Sequence, residues 1–305
     1  MSGYLITILI TIIIYAMLAH SLNIITGHAG QISLGHAAFL GIGAYTSAML
    51  YTEAGFPFWL SVPLSGLVAG AIGALLAIPC LRVRDDFLAI TTMGIGFVAE
   101  AVFLYTPFFG GAMGIGGINL PNWFGREMTK SEYFLLIVLV FGFLLFLDHR
   151  MGRSWVGLAW ASIREDEQAA GAMGVDVVRF KVLAFILGSA IAGLAGGFYA
   201  HFLTFIMPQN FGFGQSIVIL CMVVFGGIGT RWGPILGAVI LGILPEIFRP
   251  IMEYRTFLYG LLLLAMMRFQ PGGILGAESI LPKVLRRYIF RPASEAPRPQ
   301  GGASR

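Results

Sequence analysis

The sequence predicts an all-α fold, a polytopic transmembrane helical bundle of about eight to nine spans with glycine-broken helices. Three observations carry that expectation. Hydrophobic residues make up 57% of the chain and charged residues 11%, less than half of the roughly 25% charge usual in soluble domains. Mean hydropathy is +0.85, and several apolar stretches have the length of about 20 residues that a helix needs to cross a bilayer. The 41 glycines are nearly double the usual share of about 7%, and in membranes small residues serve close helix packing or broken helices that line a cavity.

Taken in order, the apolar stretches give spans at 4–25, 34–52, 58–80, 87–106, 132–148, 180–203, 214–229, 233–249 and 255–269. The first lacks the basic flank of a cleaved signal peptide, so it reads as a retained span. The first hairpin and 214–249 are the segments where glycines would also suit re-entrant structure. Cys80 and Cys221 lie in or beside apolar segments and form no disulfide framework. Of the 19 Lys and Arg residues, only Arg126, Lys130, Arg249 and Arg255 fall on the side opposite the 149–179 loop. The positive-inside rule therefore puts that loop and the C-terminus in the cytoplasm and the N-terminus outside. From Lys283 the basic, Pro-rich tail is expected to be disordered near the anionic inner leaflet.

The 155–184 stretch is the longest polar interruption. Ser162 with Glu165 reads as a capping box, and Glu165, Asp166 and Glu167 place negative charge at a helix N-terminus. Ala169, Ala170 and Met173 recur at helical spacing, Gly174 is a stop signal, and Asp176 suits the cap of the next helix. A helix so equipped between two spans reads as a docking element; the alternative is a solvated connection. Glu167-Gln-Ala-Ala170 followed by Gly174 resembles the EAA loop of ABC importer permeases. The run from Ser162 to Val175, followed by Lys181-Val-Leu-Ala-Phe185, is similar to LivM-type permeases of branched-chain amino acid importers. In that family this segment seats in a groove of the ATPase subunit. The resemblance thus implies a coupling role for Ser162, Arg164, Glu165, Glu167, Ala169, Ala170, Met173 and Gly174.

The first hairpin resembles the same family most closely, through Gly30-Gln31-x-Ser33-Leu34-Gly35-His36 and the glycine pattern up to Tyr45. Asn23, Gln31 and Ser33 are polar at or near membrane depth and should face protein or water rather than lipid. Gly30 and Gly35 suggest a break that opens a half-helix at about residue 33 with Ser33 as its cap; close helix packing also explains both glycines. The amides of such a half-helix would suit a substrate carboxylate or a partner permease. His20, His28 and His36 recur every eight residues, but glycines interrupt the helix and no acidic or cysteine ligand lies nearby in sequence, so packing or hydrogen bonding is favoured over a metal. His36 falls in the family motif, which suits a pathway or structural role.

Further along, Arg82-Val-Arg-Asp-Asp86 reads as a topology anchor, and Thr91 and Thr92 can bond back to their own helix. Glu100 is an acid within a span, hence a pathway candidate; the alternatives are a pair with a neighbouring helix or an interfacial site. It also departs from the commoner family pattern, in which an acid follows the glycines more closely. Gly110-Gly-Ala-Met-Gly-Ile115 and Phe225-Gly-Gly-Ile-Gly followed by Trp232-Gly-Pro resemble further family segments. The order of elements across 219–242 loosely echoes 19–45, the pattern of an internal repeat, with identity too thin to establish one.

The resemblance covers roughly residues 5–276, read as the permease domain with its coupling loop at about 150–179 and the tail at 277–305. It implies one permease subunit of an ABC importer, paired with a LivH-type permease, two ATP-binding subunits and a substrate-binding protein, and surrounded by membrane lipids. Nothing points to a nucleic acid. No Gly-x4-Gly-Lys-[Ser/Thr] loop occurs, so no cofactor is expected on this chain, and ATP and Mg would sit in the partner ATPases. Branched-chain or other hydrophobic amino acids are the implied cargo; urea, amides or aromatic acids are the alternatives. From other classes, an ATPase-independent channel or secondary transporter remains a rival. A membrane enzyme ranks last, since no nucleophile–base or metal constellation emerges.

Overall fold

A computed structural model describes residues 3–80, 85–123, 126–247, 255–269 and 272–275. The Arg82–Arg84 part of the anchor turn and the 277–305 tail lie outside them. A helix stands at each of the nine sequence-derived spans: α1 (Gly3–Asn23), α2 (His36–Thr52), α3 (Phe58–Cys80), α4 (Asp85–Tyr105), α5 (Lys130–Gly152), α8 (Val177–Leu203), α9 (Phe213–Gly226), α10 (Gly233–Ile247) and α11 (Arg255–Phe269). Between α5 and α8 lie two short helices, α6 (Trp155–Glu165) and α7 (Glu167–Ala172). Among the described residues, six helical stretches are long and apolar enough to cross a membrane: 3–28, 58–80, 87–105, 130–152, 177–203 and 208–226. The chain is thus a multi-pass all-α membrane protein.

α8 is the central post. Its face of Gly188, Ala192, Gly193, Gly196, Gly197 and Ala200 is buried, and α2 and α3 lie against it at backbone distance. A Cβ on Gly196 would stand 2.2 Å from the Leu40 carbonyl oxygen, and one on Gly43 would stand 2.1 Å from that of Gly193. Here the glycines serve contact. Polar side chains on these helices bond inside them or across: Ser65 Oγ donates to the Gly193 carbonyl at 3.1 Å and Tyr133 Oη to that of Phe198 at 2.7 Å. Around this frame, α1 packs between α10, α8, α5 and α9. Large apolar residues such as Leu67, Leu75, Val98, Leu139 and Phe143 face outward, as lipid solvation allows.

At the end opposite α6 and α7, two short antiparallel pairs order the connections. β1 (Ile115–Gly116) pairs with β4 (Phe205–Ile206), and β2 (Asn122–Trp123) with β3 (Arg126–Glu127). A capping box exists in the molecule, but at this end: Thr129 caps α5 by accepting from the Glu132 amide, and Glu132 accepts from the Thr129 amide at 2.8 Å. The Ser162–Glu165 box expected from the sequence does not form. Ser162 sits inside α6, where its hydroxyl bonds back to the Ala159 carbonyl at 2.8 Å. Asp166 opens the next helix instead, accepting from the Gln168 and Ala169 amides, both at 2.9 Å. The Gly174 stop, at φ +88°, and the Asp176 cap stand where the sequence puts them.

Candidate functional site

α1 does not end cleanly. After Asn23 the chain widens into a π-helical turn, Ile24–His28, a form that concentrates at functional sites. Residues 29–35 are non-helical, and α2 opens at His36. The break is real, but its helix is capped two residues later than expected. Gly35, not Ser33, is the N-cap, with no side-chain cap. The first amides of α2 are already engaged: Ala37 N donates to Ser216 Oγ of α9 and Ala38 N to the Gly35 carbonyl, each at 3.0 Å.

The two glycines of the break do different work. Gly30 holds φ +73°, with its nearest neighbour, Arg164 Cα, at an ordinary 3.4 Å from where a Cβ would stand. Gly35 has ordinary φ, yet a Cβ there would stand 1.9 Å from the Thr92 carbonyl oxygen of α4. Conformation requires the first and packing the second. Thr92 completes the seam by accepting from Leu34 N at 3.0 Å while bonding back to Ala89.

Through the break, side chains alternate as in a strand. Gln31 and Ser33 turn inward and are buried, as are Asn23 and His36, while Gly30 and Ile32 face out. Neither polar atom of the Gln31 side chain, nor the Ser33 hydroxyl, has a hydrogen-bond partner among the described residues. His36 Nε2 meets Ser21 Oγ at 2.6 Å. Asn23 uses both ends of its amide to clamp the α9–α10 turn. Its Nδ2 donates to the Thr230 carbonyl at 3.0 Å, and its Oδ1 accepts from Gly229 N at 2.8 Å. Glu100 stands apart from these groups, against Gly212 at the start of α9; a Cβ there would lie 3.0 Å from its Oε2.

α6 and α7 project at the same end as the α9–α10 turn. Ala159, Trp160 and Ile163 bury the inner face of α6, and Trp160 Nε1 donates to the Phe180 carbonyl at 2.8 Å. Lys181 of α8 pairs with Glu167 and pins α7. Ala170 is buried, so it cannot share an outer face with Ala169 and Met173, which are exposed. Met173 is 86% exposed; Trp155 and Leu158, absent from the expected coupling residues, are 74% and 64% exposed. Their i, i+3 spacing was legible as an outward apolar pair.

Two side chains of α6 reach the break: Trp160 packs on Ile24 and Ala29, and Arg164 makes the polar link. Arg164 of α6 donates from Nη1 to the Gly27 carbonyl of the π turn at 2.7 Å. It also lies so close to the α9–α10 turn that a Cβ on Gly229 would stand 2.1 Å from Nη1. A cavity of about 440 Å³ opens here, bordered by Gly27, His28, Trp160, Arg164 and Gly229. Of the expected coupling residues, Arg164 reaches the break, at Gly27 and Gly30, while Ala169, Met173 and Gly174 lie exposed and Glu100 stands apart.

A family model described as the permease component of branched-chain amino acid transport systems matches residues 4–267. The chain belongs to this family. The permease is 36% identical to LivM, the high-affinity branched-chain amino acid transport permease of Salmonella typhimurium, over 86% of this chain and 68% of that protein. The corresponding LivM of Escherichia coli K12 gives the same identity and coverage. LivH of E. coli K12 is 26% identical over 87% of the permease and 92% of its own length. No solved structure matches it.

Proposed function

We propose that this permease forms, with a LivH-type partner, the inner-membrane pathway of an ABC importer for branched-chain or other hydrophobic amino acids. Two partner ATPases bind ATP and Mg²⁺ and dock on α6–α7, and a substrate-binding protein delivers cargo at the opposite end. The chain crosses the membrane about eight to nine times, with the N-terminus outside and the 150–179 segment and 277–305 tail in the cytoplasm. The observation that carries this reading is the joint itself: an end-on helix pair with bare apolar groups, tied by Arg164 to a broken helix inside the membrane domain. A pull on α6 reaches the break through the Arg164 hydrogen bond to Gly27 and the packing of Trp160 on Ile24 and Ala29.

Because Ala170 is buried, Ala169 and Met173 are the positions that report on docking. Met173→Arg, alone or with Ala169→Arg, should strip the ATPase subunits from the purified complex while the permease still inserts. Undiminished ATPase recovery would refute docking through this face. Stoichiometric flux in liposomes holding the permeases alone would favour a channel.

A further inference from the structure

Asp148, in the last turn of α5, is 5% exposed. A carboxylate removed from water is costly unless charges or hydrogen bonds compensate it. The compensating groups come from separate elements. His20 Nε2 of α1 lies 3.6 Å from Oδ2, His28 Nδ1 of the π turn 3.6 Å from Oδ1, and Arg231 Nη2 of the α9–α10 turn 3.9 Å from Oδ2. Arg231 also contacts Nδ1 of the neighbouring His149. Arg164 is a further cation near His28.

None of the three contacts to Asp148 is a closed hydrogen bond, which needs about 2.7–3.2 Å. Asp148 Oδ1 and both ring nitrogens of His20 have no hydrogen-bond partner. One carboxylate therefore stands among three arms, each less than about 1 Å beyond bonding distance. A small shift toward one arm closes that contact and opens the others. Packed interfaces with such discrete alternatives turn small displacements into changes of state. Two of the arms, His28 and Arg231, lie on the π turn and the α9–α10 turn, the segments that Arg164 and Asn23 also hold; the third, His20, lies on α1.

We propose that Asp148 is the positioning residue of the joint. Its charge keeps the π turn and the α9–α10 turn in register with α5, and its arms exchange their hold on it during the transport cycle. This rests on the importer reading above.

The test uses the whole transporter in liposomes: both permeases, both ATPases and the binding protein. Asp148→Asn keeps the shape and removes the charge. It should leave the complex assembled, raise ATP hydrolysis without substrate, and lower substrate moved per ATP by about five-fold or more, the lower end of ordinary coupling between sites. Asp148→Glu should recover part of that ratio. A structural role alone would lower yield while transport and hydrolysis fall in proportion; an unchanged ratio overturns the proposal. If Asp148→Asn does not assemble, His28→Gln and Arg231→Gln each remove one arm, and the same ratio is read. An unchanged ratio in both, or failure of both to assemble, assigns the cluster to folding and likewise overturns it. A wild-type chain that recruits no ATPase refutes the importer reading instead, before any variant is compared.

Discussion

The α2–α3–α8 frame and the α1–α2 joint are built from similar residues toward opposite ends. Both are rich in glycine and carry scattered Ser, Thr and His. In the frame, glycines bring backbones together and hydroxyls bond back to carbonyls, as Ser65 and Ser189 do. In the joint, polar groups stay unsatisfied. Ten buried side-chain polar atoms among the described residues have no hydrogen-bond partner, and eight of them belong to His20, Thr26, Gln31, Ser33, His36 and Asp148. The other two are on Tyr45 and His201. Unpartnered buried polar groups are costly, and proteins retain such cost where a second arrangement is needed. That cost is concentrated around the joint, while in the frame it falls only on Tyr45 of α2 and His201 of α8 among the described residues.

The sharpest way to break that comparison is to insert a side chain into the frame. Gly196→Val would force its β-carbon into the Leu40 carbonyl and Ala44 amide, which lie 2.2 and 2.7 Å from a Cβ there. Backbone must move, so the cost should exceed the ~1–3 kcal/mol of ordinary overpacking and abolish assembly, read as loss of a monodisperse complex. Asn23→Ala comes next. It strands the Gly229 amide and Thr230 carbonyl at about 1–3 kcal/mol for each group left unsatisfied, so the melting temperature should fall while the complex still forms and transport is lost. Survival of Gly196→Val with full transport would remove the distinction between frame and joint.

The mildest change sharpens the comparison from the other side. Gln31→Leu replaces an unpartnered buried amide with an apolar side chain of similar size. Stability should hold or rise by about 1 kcal/mol while uptake falls, the trade-off expected where strain serves function. A loss of stability would mean that Gln31 is structural.

Much of this was legible in the sequence, and the rest failed for physical reasons. Helix positions follow from runs of apolar residues because lipid leaves a backbone few other options. The Gly174 stop and Asp176 cap are local, and locally decided. The Ser162–Glu165 box failed because Ser-x-x-Glu occurs in helix interiors too, and Asp166, with two amides in reach, caps better. Ala170 was assigned outward because helical spacing groups residues without saying which group faces the protein. Asp148 was invisible: beside His149 and Arg150 it looks like the end of a span, and its partners at 20, 28 and 231 assemble only in the fold. The eight-residue spacing of His20, His28 and His36 has no common target: the first two approach that carboxylate and His36 meets Ser21.

On the proposed function the helix pair α6–α7 and the break at 29–35 move as one, with Arg164 as the polar link beside the Trp160 packing. Ile32, the exposed apolar residue of the break, is the reporter: Ile32→Cys can be labelled with a membrane-impermeant maleimide in the reconstituted transporter, with and without ATP and vanadate. With Arg164 present, the labelling rate should change severalfold between nucleotide states; with Arg164→Gln it should become the same in both, although the ATPases remain bound and active. A nucleotide-dependent change of the same size in both backgrounds would contradict the claim.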